Sequence, residues 1–141
     1  TQNIDGLHQA AGSVRVYELH GSIHRNHCMK CGQFYDLAFV MEAQGVPRCP
    51  VCGGLIKPDV VLYEEPLDQK TMMGALRAIQ EADLLIIGGT SLAVYPAAGL
   101  IQYYEGKRLV LINKSPTPYD SQADLLIAAP IGALMERIQV R

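Results

Sequence analysis

No excess of basic charge, no long apolar run and no internal repeat occurs in these 141 residues. Lysine and arginine total 12 against 14 acidic residues, a net charge of −2. A nucleic-acid backbone is held by clustered cations, so this balance argues against direct nucleic-acid binding. The apolar runs are short and interrupted, and none approaches the ~20 residues that a membrane-crossing helix needs. No charged-then-apolar start of secretory type is present, and no low-complexity segment. Residue 1 is threonine rather than methionine, so the expectation is a chain that begins in mid-sequence. Hydrophobic residues make up 49% and charged residues 18%, which suits one packed domain.

The four cysteines form two pairs, Cys28-Met29-Lys30-Cys31 and Cys49-Pro50-Val51-Cys52, with 17 residues between them. A C-x-x-C turn lets two thiolates reach one metal from one tight loop, and this spacing predicts a tetrahedral structural zinc. Gly32 and Gly53 follow the pairs and permit the positive φ that ends such a knuckle. Two disulfides would need an oxidising compartment. A redox dithiol needs only one such pair, and rubredoxin-like iron uses the same knuckles. With four sulfurs bound, zinc keeps no open position for a substrate, so catalysis must lie elsewhere. His27 adjoins Cys28 and reads as a surface residue. Reduced, metal-binding cysteines suit a cytoplasmic protein.

Val14 to Leu19 alternates apolar and polar and predicts a strand. Residues 24–57 form the metal module, with an apolar insert at 34–43. Val60 to Tyr63 predicts a strand leaving it. Asp68 to Ala82 predicts a helix capped by Asp68, with Met72, Leu76 and Ile79 on one face. Asp83 to Gly89 and Arg108 to Asn113 are apolar enough for buried parallel strands. Pro96 opens a helix between them that Gly106 ends. Asp124 to Ala128 predicts a last strand, and Ile131, Leu134, Met135 and Ile138 a closing helix. Strand alternating with helix predicts a doubly wound α/β parallel sheet, with ligands beyond the carboxyl ends of the strands. Gly88-Gly89-Thr90-Ser91 lies at such an end and suits phosphate or ribose oxygens. A glycine-rich strand end is also often only a turn, and no full G-x-G-x-x-G is present. Asn113 is equally a ribose ligand or a turn-initiating asparagine.

Several ordered strings together resemble the sirtuins, the NAD-dependent protein deacylases. They are Thr1-Gln2-Asn3-Ile4-Asp5-Gly6-Leu7-His8, Glu18-Leu19-His20-Gly21, the four cysteines, Lys57-Pro58-Asp59-Val60-Val61-Leu62-Tyr63, Gly89-Thr90-Ser91-Leu92-Ala93-Val94-Tyr95-Pro96 and Ile112-Asn113. The resemblance covers nearly the whole chain. It implies a Rossmann-like NAD-binding domain over 1–23 and 58–141, incomplete at its N-terminal side, with the zinc module of 24–57 inserted. It implies that His20 is the catalytic base. The acyl oxygen of a modified lysine attacks the anomeric carbon of the nicotinamide ribose, nicotinamide leaves, and an alkylimidate forms. The histidine deprotonates a ribose hydroxyl, which attacks that intermediate. Water then releases lysine and O-acyl-ADP-ribose. A histidine suits this because its ordinary pKa lies near working pH.

By the same resemblance Gln2, Asn3, Ile4 and Asp5 surround nicotinamide and its ribose, although a capped turn alone would explain Asn3 and Asp5. Gly89, Thr90 and Ser91 contact the phosphates and ribose of NAD. Asn113, Lys114 and Ser115 hold the adenosine ribose, and Ile131 lies beside adenine. Val61 and Tyr63 flank the acyl-lysine channel, where an extended substrate peptide would pair as an added strand. His8 and His24 carry no role. Two departures stand out. Tyr63-Glu64-Glu65 replaces the frequent Phe-Gly-Glu, and Glu64 would narrow the peptide groove or favour basic residues beside the target lysine. The family's glycine-rich first turn and cofactor loop are absent, and with them the residues that choose the acyl group. A chain of this extent is expected to bind NAD weakly, to be inactive alone and to self-associate. The alternatives are an ADP-ribosyltransferase on the same fold and an inactive zinc-dependent binding fragment.

Overall fold

The computed structural model describes residues 1–139. It divides into two compact units, Thr1–Met72 and the chain from Met73 onward.

The first unit carries α1 (Leu7–Ala10), β1 (Gly21–Cys28), β2 (Phe34–Tyr35), α2 (Leu37–Glu42) and β3 (Ile56–Val60). Its sheet is antiparallel in the order β2-β1-β3. The strand expected at Val14 to Leu19 does not form. Its alternation is real, but no neighbouring strand pairs with it, and the ladder begins at Gly21 instead. The strand expected at Val60 to Tyr63 lies earlier, and its ladder ends at Val60. Only the Val61 amide continues it, donating to the His20 carbonyl at 3.1 Å. The insert between the knuckles is a short strand and a helix capped by Asp36, whose Oδ1 accepts from the Phe39 amide at 2.9 Å. Cys28, Cys49 and Ile56 are the buried core of this unit's metal end, with Tyr35, Phe39 and Val40 packed on them.

Helix α3 (Gln69–Gln80) begins where expected, because Asp68 Oδ2 accepts from the Thr71 amide at 2.7 Å. Met72, Leu76 and Ile79 are half-buried along one face. The second unit holds β4 (Leu85–Gly88), β5 (Leu109–Ile112), β6 (Leu125–Ile127) and α4 (Ile131–Met135). The three strands are parallel in the order β4-β5-β6. Leu109, Leu111 and Ile112 of the middle strand are 6%, 1% and 2% exposed, whereas Ile86, Leu125 and Leu126 are 45%, 51% and 47% exposed. Continuous apolarity therefore marks full burial only for β5, the strand with a neighbour on each side. The element opened by Pro96 is a 3₁₀ run, Ala97–Tyr103, that ends before Gly106. Ile138 lies beyond the end of α4. Leu92, Ile101, Leu109, Leu111 and Tyr119 form this unit's core.

Candidate functional site

His20 stands at the last position before β1, half-buried, in a turn closed by the Gly21 amide on the Glu18 carbonyl at 3.0 Å. Gly21 has φ 77°, and a side chain there would run into the carbonyl oxygen of Asp59 on the paired strand. Glycine is thus required next to the histidine both by backbone conformation and by the closeness of β3. The His20 Nδ1 lies 3.0 Å from the Gln2 carbonyl oxygen. A carbonyl only accepts, so Nδ1 carries a proton, and in the neutral ring the lone pair is then on Nε2. That is the tautomer a general base needs.

The segment Gln2 to Asp5 runs beside this turn. The Leu19 amide donates to the Thr1 carbonyl at 3.0 Å, and the Ile23 amide to the Ile4 carbonyl at 3.1 Å. Asp5 Oδ1 accepts from the Leu7 amide at 3.0 Å, so one carboxylate oxygen closes the turn into α1. The Asn3 side chain is exposed. On the other side of His20, Val61 is half-buried and Tyr63 fully exposed. The turn after Val61 is fixed by Glu65, whose Oε2 accepts from the Leu62 amide at 2.9 Å and from Lys57 Nζ at 3.2 Å. Lys57 Nζ also donates to the Val60 carbonyl at 2.9 Å. The Leu62 amide first and the Lys57 ammonium second hold the Glu65 carboxyl below its ordinary range. Glu64 is exposed with φ 70°, a left-handed backbone that glycine adopts without strain.

The four cysteine sulfurs lie within 4.8 Å of one another. The Cys28 and Cys52 sulfurs are 3.4 Å apart, and those of Cys31 and Cys49 3.7 Å. Gly32 at φ 73° and Gly53 at φ 70° end the two knuckles as expected. Their amides return to the Cys28 and Cys49 carbonyls at 2.9 and 2.8 Å. Gly54 is equally constrained, since a Cβ there would stand 2.8 Å from Cys28 Sγ. Convergent thiols, none in a disulfide, are the donor set of a closed structural zinc site. The Tyr35 hydroxyl lies 3.0 Å from Cys49 Sγ. It is the main cause that lowers the Cys49 thiol to about 6. Cys52 is pushed the other way, to about 12: the Gly54 amide lowers it, but the Cys28 and Cys31 sulfurs outweigh that. A divalent cation among the sulfurs removes this conflict by favouring every thiolate.

In the second unit Gly88 ends β4, and Gly89 at φ 65° turns the chain out of the sheet. The Asn113 side chain spends both amide hydrogens on backbone, donating to the Thr90 and Ser115 carbonyls at 2.9 Å each. The Asn113 amide thus ties the segment after β4 to the turn after β5. The Thr90 hydroxyl accepts from the Leu92 amide at 3.2 Å. Ser91, Lys114 and Ser115 are exposed. The Ile131 side chain lies over Gly88, leaving no room for a Cβ there, and touches the Gly89 position at 3.9 Å. These residues therefore gather at the carboxyl ends of β4 and β5, as expected for this sheet type.

The model of the Sir2 family matches residues 1–96. The chain belongs to the Sir2 family. It is 63% identical over 139 residues to the NAD-dependent protein deacetylase of Clostridium perfringens, and 60% identical over 139 residues to that of Clostridium acetobutylicum. Each alignment covers 98% of this chain and 57% of the relative, so the chain spans little more than half the length of these relatives. Among solved structures, a Sir2 with p53 peptide and NAD+ matches at a TM-score of 0.88 and 39% identity, over 97% of this chain and 59% of that one. Sir2Tm bound to a propionylated peptide matches at a TM-score of 0.90 and 39% identity, over 97% and 60%. The fold is thus the mixed α/β fold of the family, with a parallel sheet and a four-cysteine cluster. No helix among the described residues is long and apolar enough to cross a membrane.

Family membership makes sense of Glu64. The frequent Phe-Gly-Glu places glycine where this chain has a left-handed glutamate. Three residues escaped sequence reasoning. His24 Nε2 donates to the Asp5 carbonyl at 2.9 Å, Arg25 meets Glu18 at 2.6 Å and Asp59 at 2.9 Å, and Tyr35 reaches Cys49. The signal available was the unbroken Ser22-Ile23-His24-Arg25-Asn26 run, too polar for a strand interior.

Proposed function

We propose that the protein consumes NAD to remove acyl groups, acetyl foremost, from lysine side chains of proteins, giving nicotinamide, O-acyl-ADP-ribose and free lysine. The observation that carries this is the His20 Nδ1–H held on the Gln2 carbonyl, which leaves Nε2 as the base. Nε2 takes the proton of a ribose hydroxyl, and the resulting oxygen attacks the carbon of the transferred acyl group. Gln2, Asn3, Ile4 and Asp5 serve the nicotinamide ribose. Gly89, Thr90, Ser91, Asn113 Oδ1, Lys114, Ser115 and Ile131 serve the rest of NAD. Val61 and Tyr63 line the approach of the acyl-lysine, where an extended substrate peptide would pair as an added strand. The cysteines hold a structural zinc and take no part in the reaction. We read residues 24–57 as the zinc module and 1–23 with 58–141 as the NAD-binding part, and the protein as cytoplasmic. The exposed apolar side chains of β4 and β6 support self-association of these residues taken alone.

The test is His20→Ala in the protein expressed from its complete coding sequence. Formation of O-acyl-ADP-ribose should fall by about 10²-fold or more, as for loss of a general base, while NAD still binds. Parental product formation would refute the role. Transfer of ADP-ribose to protein without loss of acyl groups would favour the transferase reading instead.

A further inference from the structure

Strand β1 departs from regular pairing in its middle. Ser22 pairs with Asp59 and Asn26 with Pro58, so Ile23, His24 and Arg25 have no backbone register partners on β3. The bulge is internally set. The buried Ser22 Oγ accepts from the His24 amide at 3.2 Å, and the buried Asn26 Nδ2 donates to the Ile23 carbonyl at 3.0 Å. Each extra residue then grips a different segment. The Ile23 amide takes Ile4, and the His24 ring takes the Asp5 carbonyl with its Cδ2–Nε2 edge beside Gly6. Arg25 donates from Nη1 to Glu18, two residues before His20, and from Nε to Asp59, two residues before Val61. Glu18 is nearly buried, its side chain 9% exposed, and its other oxygen accepts from Gln9 at 2.9 Å. A bulge re-aims side chains beside a site. Here one bulge ties the Gln2–Asp5 segment, the histidine turn and the peptide strand together.

We propose that this bulge is the frame of the reaction centre and that Arg25 is the positioning residue that fixes His20 relative to the acyl-lysine strand. The proposal rests on the deacylase reading only for its activity arm. Arg25 acts through its planar fork, which serves two carboxylates on two segments at once. Loss of the fork lets the Glu18–His20 turn shift against β3, and misplacement of a catalytic group by about 1 Å costs up to about 10²-fold in rate.

The experiment uses the zinc-loaded protein from its complete coding sequence and the variant Arg25→Gln. Two readouts are taken. In the first, the kcat for O-acyl-ADP-ribose formation should fall about 10-fold, while nicotinamide exchange, which precedes the work of the base, and KM for NAD stay near parental. In the second, hydrogen exchange of the Leu19 and Val61 amides should quicken while β5 amides stay unchanged. Parental kcat together with parental exchange would overturn the proposal. Equal loss of acyl transfer and nicotinamide exchange, with zinc retained, would reduce Arg25 to scaffold and also overturn it. Where the Gln variant does not keep zinc, Arg25→Lys, which keeps the charge but lacks the planar fork, carries the same two readouts. Should the parental protein lack NAD-dependent deacylation, the function reading fails and the amide-exchange arm alone decides the brace.

Discussion

Gly21→Ala and Gly12→Ala probe the packing around His20, because both glycines have left-handed φ but different surroundings. Gly12 has φ 90° and open space where its Cβ would stand, whereas a Cβ at Gly21, φ 77°, would run into the Asp59 carbonyl. At Gly12 only the backbone penalty applies, about 1 kcal/mol. At Gly21 the same penalty is joined by forced separation of β1 from β3, about 1–3 kcal/mol by analogy with overpacking. The Val61 amide then also loses the His20 carbonyl, about 1 kcal/mol more. The Gly21 variant should therefore lose about 3–5 kcal/mol where the Gly12 variant loses about 1. Because the chain has two compact units, one global unfolding curve would blur the comparison. Hydrogen exchange resolved by segment reads the first unit alone. Equal protection of β1 and β3 amides in the two variants would refute the argument that backbone contact, rather than φ, dictates glycine after the histidine.

Tyr35→Phe keeps the ring against Phe39, whose centroid lies 4.5 Å away, and removes only the hydroxyl on Cys49. Zinc affinity measured by chelator competition should weaken by about 10-fold or more; unchanged affinity would show the contact to be incidental. Glu64→Gly relieves the φ of 70° and should raise stability by about 0.5–1 kcal/mol net of the unfolded-state entropy of glycine, read as slower exchange in the 61–65 turn. The Glu65 carboxyl is lowered by its bonds to the Leu62 amide and Lys57. Its contribution to that turn is therefore complete above the ordinary glutamate range and is lost as pH falls through the lowered value. Exchange at the Leu62 amide should follow that acid limb, and Glu65→Gln should abolish it.

Much of the site was legible along the chain because its chemistry is local. Two C-x-x-C pairs followed by Gly32 and Gly53 specify both the donors and the turns that aim them. Asp68 and the spacing of Met72, Leu76 and Ile79 specify α3, and the apolar runs ending at Gly89 and Asn113 specify parallel strands. What pairs with what is not local. The alternation of Val14 to Leu19 predicts a strand, yet a strand needs a neighbour, and Gly21 to Cys28 takes β3 instead. Apolarity alone does not separate β5, buried between two strands, from β4 and β6, which are half-exposed. That the Asn113 amide bonds the Thr90 and Ser115 carbonyls is likewise visible only in the fold. The roles of His24, Arg25 and Tyr35 depend on partners distant in sequence, Asp5, Glu18, Asp59 and Cys49. Composition and spacing settle which groups are available and which local turns they prefer. Only the tertiary fold, which brings the Gln2 carbonyl beside the turn before β1, decides which ring nitrogen of His20 is tied to backbone and which is left untied.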